Sequence, residues 1–183
     1  MKIPTLVSLR ESRLSGWAVL VERVYRIDEN SEPQIFHSFR VADYAAVLAI
    51  TRDGRVPLVR QFRPALQRVT LELPGGLVEK GEDPGIGALR ELSEETGFSS
   101  PSPLIALPSL SPDTARLENR VRGFFLGEAE YPAPAWQPEP NVEPLIVSLT
   151  ELREAVLSGR LDHALHVAIV GQAFLAGLLN FDR

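Results

Sequence analysis

Glu82, Asp83, Glu91, Glu94 and Glu95 all fall inside one 23-residue stretch, Gly76 to Phe98, which reads GLVEKGEDPGIGALRELSEETGF. Asp83 followed by Pro84 predicts a helix start, because Asp caps well and Pro fits the first turn, where its missing N–H has no partner to lose. Gly97 predicts the stop, since glycine accepts the left-handed conformation past a helix end. On that helix Glu91 and Glu95 are i and i+4 and share a face, with Glu94 at its edge. Within the helix only Arg90, four before Glu94, is placed to offset their repulsion. A solvated acidic face is the ordinary explanation of a Glu-rich helix. Gathered hard oxygens are also what Mg²⁺ or Mn²⁺ prefers. Ile86, Leu89, Leu92 and Thr96 recur at 3–4 spacing and are expected to pack inward.

The spacing decides between these explanations. Gly76, five residues, Glu82, seven residues, then Arg90-Glu91-Leu92-Ser93-Glu94-Glu95-Thr96-Gly97-Phe98 resembles the Nudix box at every fixed position. The resemblance implies hydrolysis of a nucleoside diphosphate linked to another group, assisted by a divalent metal. It implies metal ligands at Glu91, Glu94 and Glu95. Glu82 then supports the site or a second metal, Arg90 holds the glutamates by salt bridge, and Gly76 and Gly97 serve the loop–helix–loop.

The flanking runs VRQFRP (59–64) and LELPGG (71–76) resemble the ADP-ribose and ADP-sugar branch of that family. By that resemblance Arg63 and Glu72 belong to substrate binding, with the Arg63 fork on phosphate or ribose oxygen. Gly75 offers its carbonyl to a metal, where backbone and ligand must come close. Pro112, fifteen residues after Gly97, accompanies ADP-ribose activity in the family. The expected reaction is therefore ADP-ribose to AMP and ribose 5-phosphate. The loop Pro-Asp-Thr-Ala-Arg departs from the branch's pattern, which leaves GDP-mannose and other nucleotide sugars open. A module that senses ADP-ribose without cleaving it is the alternative of another class. For general base the resemblance points to the loop before RVRGFFL, where Glu118 is the candidate and Asp113 its rival, with Glu94 the box residue shared between metal and catalysis.

The elements around these residues follow from pattern. Trp17–Ile27 and Gln34–Val41 predict a hairpin, with residues 1–16 irregular or an edge. Trp17 and Phe36 read as hairpin core or as base-stacking residues, Trp17 first. Such a hairpin leaves an exposed edge, so a homodimer through it is expected, as in the resembling branch. Residues 44–51, 56–62, 69–73, 104–110, 120–128 and 145–148 predict strands. Pro132–Pro144 holds five prolines and reads as a surface loop. Thr150 is expected to cap one helix, and Asp162 to begin the last. His163 and His166 lie at i, i+3 with no third ligand visible in the sequence.

The chain of 183 residues has enough length for a real core, and the expected organisation is an extension over 1–43 and a hydrolase domain over 44–183. The expected fold class is α/β: a Nudix α/β/α sandwich with a mixed sheet, plus an N-terminal β-hairpin extension. A net charge of −5 argues against a nucleic-acid surface and an anionic membrane, though not against a nucleotide held through metal. There is no cysteine, hence no disulfide. Residues 1–16 lack a signal-peptide core, and Leu165–Leu179 is too short to span a bilayer, so a cytoplasmic enzyme is expected.

Overall fold

The computed structural model describes residues 2–181, so the outer limits of the two expected domains, at 1 and 183, lie outside the described residues. The chain separates into two compact units. One runs to Asp43 and takes in Ser111–Arg120; the other comprises Tyr44–Leu110 and the chain from Val121 on.

In the first unit, β1 (Thr5–Arg13), β2 (Val19–Arg26) and β3 (Gln34–Arg40) form an antiparallel sheet in that order. A sheet of three strands replaces the expected hairpin. β1 escapes period-two reading because its register with β2 shifts between Leu6 and Ser8, a bulge that breaks the alternation. Residues 111–120 run beside β3: the Phe39 N–H donates to the Arg116 carbonyl at 2.7 Å, and the Glu118 N–H to the Phe39 carbonyl at 3.0 Å. Leu6, Val7, Leu9, Ile35, Phe36 and Phe39 are all exposed. Trp17, in the turn after β1, is 73% exposed. Neither Trp17 nor Phe36 is the core residue that a hairpin would make of it.

The second unit holds β4 (Tyr44–Thr51), β5 (Arg55–Arg63), β6 (Arg68–Glu72), β7 (Gly75–Leu77), α1 (Pro84–Thr96), β8 (Ile105–Ala106), β9 (Val121–Ala129), β10 (Val142–Ser148), α2 (Leu149–Leu157) and α3 (Ala164–Leu175). Its larger sheet runs β7-β4-β9-β8, with β4 and β9 parallel and the other pairs antiparallel. A second, antiparallel sheet runs β10-β5-β6. Successive side chains of a strand point to opposite faces, and β4 is apolar on both. Ala45, Val47 and Ala49 pack with Ala88 and Leu92 of α1 and with Phe98. Ala46 and Leu48 pack in a separate core with Leu152 of α2 and Ile169 and Ala173 of α3. Helices therefore cover both faces, which is the expected α/β/α layering with a mixed sheet.

Several local expectations move. The inward face of α1 is Ala88, Leu92 and Thr96 with Glu95, whereas Ile86 and Leu89 are exposed. Ser148, not Thr150, caps α2, in a capping box with Glu151. β10 begins at Val142 and includes Pro144, which an edge strand tolerates. The strand expected over 104–110 shrinks to Ile105–Ala106. α3 starts after His163, not at Asp162. Among the described residues, no helix is long and apolar enough to cross a membrane.

Candidate active site

Helix α1 is anchored at both ends as its sequence requires. The Asp83 side chain accepts from the Gly85 and Ile86 N–H groups, and Gly97 turns the chain out at φ 72°. This fixes the rotation of the carboxylates. Arg90 lies among them, donating to Glu82 at 3.0 and 3.2 Å, to Glu91 at 2.8 Å and to Glu94 at 2.9 Å. Glu82 also accepts the Glu79 N–H at 2.8 Å within the loop before α1, so its bonds from Arg90 tie that loop to the helix. Arg90 thus makes four bonds to three of these carboxylates.

Glu95 faces inward and is 5% exposed. Its Oε2 accepts the Gly75 N–H at 2.9 Å. Burial pushes its carboxyl up to about 7; the Gly75 bond pulls the other way, and the Glu91 and Glu139 charges add to the rise. Glu91 is also raised, by burial first and against its bond from Arg90, with Glu94 and Glu139 contributing. The two glycines opposite leave space for this crowding. A Cβ on Gly76 would overlap the Glu91 carboxylate, and one on Gly75 would lie 2.5 Å from the Ala45 carbonyl oxygen. The result is a set of carboxylates held against their own repulsion around one guanidinium, with the Gly75 N–H on Glu95. That donor set, all hard oxygen with one guanidinium among several acids, fits Mg²⁺ or Mn²⁺.

Arg63 ends β5 and Glu72 ends β6, and the two strands pair. Glu72 is fully buried and takes the Arg63 fork at 2.7 and 2.6 Å, with the Thr70 hydroxyl at 2.6 Å. Burial opposes its ionisation, yet these bonds and the Arg63 charge hold it down to about 2. The expected substrate pair is therefore closed on itself, with the guanidinium about one-third exposed.

A family profile described as NUDIX domain matches residues 41–165. The chain belongs to the Nudix family. Over 55 residues it is 53% identical to an ADP-ribose pyrophosphatase of Bacillus subtilis, a stretch that covers 30% of each chain. It is 33% identical over 102 residues to an ADP-ribose pyrophosphatase of Saccharomyces cerevisiae, covering 50% of this chain and 44% of that one. An ADP-sugar pyrophosphatase of Mus musculus is 56% identical over 43 residues, 24% of this chain and 20% of its own. The aligned stretches thus span less than half of each of these curated relatives. A solved structure described as an ADP compounds hydrolase superposes with a TM-score of 0.79 over 97% of each chain at 18% identity, which is a likeness of fold.

Outside the Nudix box, two features escape sequence inspection. The first is Glu139. It lies in the loop between β9 and β10, and its charge bears on both Glu91 and Glu95. The loop reaches α1 through Trp136, whose indole N–H donates to the Ser93 carbonyl at 3.1 Å and whose ring lies over Gly97. Prolines hide this, because they predict an irregular surface loop and say nothing of where it docks. The one signal is a Trp in a run made mostly of Pro and Ala.

The second feature is a third partner for His163 and His166. Ligand atoms of these two and Glu72 lie within 4.8 Å of one another. The His166 and Glu72 atoms are already engaged, whereas His163 Nδ1 is buried without a hydrogen-bond partner among the described residues. His166 Nδ1 accepts the Leu73 N–H at 3.1 Å, and its Nε2 lies 3.1 Å from the Tyr44 hydroxyl. Both Glu72 oxygens take Arg63, whose positive charge would repel a cation there. Burial first, then the neighbouring His163, pushes His166 down to about 3, so it is neutral. We read this group as a hub of the fold and not as a metal centre.

Glu118, the sequence candidate for the Nudix base, lies in the first unit. It accepts from Arg23 at 2.6 Å, Ser38 at 2.6 Å and Arg40 at 3.0 Å. These bonds, Arg23 first, hold it down to about 2. Its rival Asp113 accepts the Ala115 and Arg116 N–H groups of its own turn. Trp17 stands in the same unit with its ring in solvent.

Proposed function

We propose that this protein hydrolyses a nucleoside diphosphate sugar with the help of a divalent cation, ADP-ribose being the first choice, to AMP and ribose 5-phosphate. One observation carries the proposal: buried Glu95 and half-buried Glu91, both with raised carboxyls, face the Gly75–Gly76 backbone where no side chain intervenes. The names of the Bacillus, yeast and mouse relatives support the substrate class.

Glu91, Glu94, Glu95 and the Gly75 carbonyl are the groups that would hold Mg²⁺ or Mn²⁺. When bound, such a cation would neutralise the diphosphate and make a water more acidic. Arg90 keeps the carboxylates together between turnovers through its four bonds. Arg63, one-third exposed, can share its guanidinium between Glu72 and a substrate oxygen. Water attacks one phosphorus, the P–O–P link breaks, and the leaving group departs as a phosphate monoester that needs little acid help.

The proton of that water needs an acceptor. Glu118 would first have to give up Arg23, Ser38 and Arg40. Glu139 is exposed, rides on a loop, and already bears electrostatically on the box, so it is the favoured base and Glu118 the alternative. A homodimer through the first unit and a cytoplasmic setting belong to the same proposal. The exposed Leu6, Leu9, Ile35 and Phe39 support the former.

A panel of nucleoside diphosphate compounds with Mg²⁺, products resolved by chromatography, tests the proposal. ADP-ribose should be cleaved to AMP and ribose 5-phosphate with EDTA abolishing turnover. A nucleoside triphosphate as best substrate by a wide margin would replace it. Tight ADP-ribose binding without products would favour the sensing module.

A further inference from the structure

We infer that Tyr44 and His166 are positioning residues that fix the Gly75 carbonyl for a divalent cation. The inference rests on the proposed metal role of that carbonyl and extends it to two residues outside the box. Gly75 lies on β7, an edge strand of its sheet, where a backbone carbonyl is free to swing unless something holds it. Tyr44, on β4, donates its hydroxyl proton to the Gly75 carbonyl at 3.0 Å.

The direction of every bond in this chain is set by one group that can only donate. The Leu73 N–H donates to His166 Nδ1 at 3.1 Å, so Nδ1 carries no proton. His166 then bears its proton on Nε2 and gives it to the Tyr44 oxygen at 3.1 Å. The Tyr44 hydroxyl has one proton left, and Gly75 is its acceptor. The sequence Leu73 N–H, His166, Tyr44, Gly75 C=O therefore has a single consistent proton order. A carbonyl has two lone pairs, so the one not facing Tyr44 stays available.

The rings have little freedom to depart from this. His166 is fully buried, stacks on His163 with centroids 4.0 Å apart, and lies 5.8 Å from the Tyr44 ring. The Gly75 N–H, meanwhile, is taken by Glu95 at 2.9 Å. Both backbone groups of one glycine are thus held from different elements, the carbonyl from β4 and α3 and the amide from α1. Partners that orient a ligand in this way are typically worth a factor of ten or more in metal affinity.

The test is Mn²⁺ binding to the substrate-free full chain, followed by the EPR signal of free Mn²⁺. Tyr44→Phe keeps the ring and removes the hydroxyl, and should weaken binding by about ten-fold. His166→Gln keeps a donor and an acceptor and should stay within about three-fold of wild type, whereas His166→Met should fall with Tyr44→Phe. Val170→Ala, a buried position of α3 outside the chain of bonds, controls for lost packing and should bind Mn²⁺ as wild type does. Should Tyr44→Phe fail to fold, the His166 pair decides. The inference is overturned if Tyr44→Phe or His166→Met binds Mn²⁺ like wild type, if Val170→Ala weakens binding equally, or if wild type binds no Mn²⁺. Turnover is scored separately: wild type that binds Mn²⁺ but leaves ADP-ribose intact removes the proposed activity, and the variant order still decides this inference.

Discussion

Glu95 is ionised only at a cost, because burial and two neighbouring carboxylates both favour its neutral form. A bound cation would offset that cost. Glu95→Gln keeps the shape and the bond from Gly75 while removing the charge. Turnover should fall by at least about a hundred-fold with the metal-free melting temperature unchanged or higher, read by steady-state kinetics and calorimetry. A variant that keeps full activity would remove Glu95 from the site. The base assignment is tested by two substitutions. Glu139→Gln should lower kcat by about a hundred-fold with KM nearly unchanged, and Glu118→Gln should change kcat far less. The reverse order moves the base to Glu118. Glu118→Gln has its own signature in stability. A carboxyl held near 2 in the folded state, below its ordinary 4.5, contributes stability that is present above pH 4.5 and lost as pH falls from there through 2. At pH 7 the variant should be less stable by about 1–3 kcal/mol in urea titrations, and the gap should narrow below pH 4.5.

At the scale of elements, α1 is the best-specified part of the chain. Asp83, Pro84 and Gly97 are local signals, readable without knowing what packs around them. Asp83→Ala should cost about 1 kcal/mol through the two lost cap bonds, measured as a shift in the urea midpoint. β1 shows the opposite behaviour. Its bulge disrupts the alternation, and its pairing partner β2 supplies the order that its own sequence does not announce. The Pro132–Asn141 loop is a further case: composition predicts a loop correctly, while its docking on the end of α1 through Trp136 is seen only in the fold. Helix faces depend on tertiary context too. Ile86 and Leu89 fit an apolar stripe, yet α1 is rotated to bury Ala88, Leu92 and Thr96, with Ala88 and Leu92 against β4.

For the whole molecule, the exposed apolar side chains of the first unit are more than a monomer is expected to leave in water. Light scattering at micromolar concentration should therefore give twice the mass of one chain, and a monomer there would remove the dimer from the proposal. The sequence by itself determined the family, the helix that bears the carboxylates and the residues on it, because fixed spacing along one helix translates directly into a shared face. It also determined that residues 44–51 form a strand. Only the tertiary structure decided that Arg63 closes on Glu72, that Tyr44 links His166 to Gly75, and that the charge of Glu139 bears on Glu91 and Glu95. These pairs are 9, 122, 31 and 44 or more residues apart. Their encounter depends on strand order, helix placement and loop docking, and no periodicity or local propensity encodes a contact over that separation.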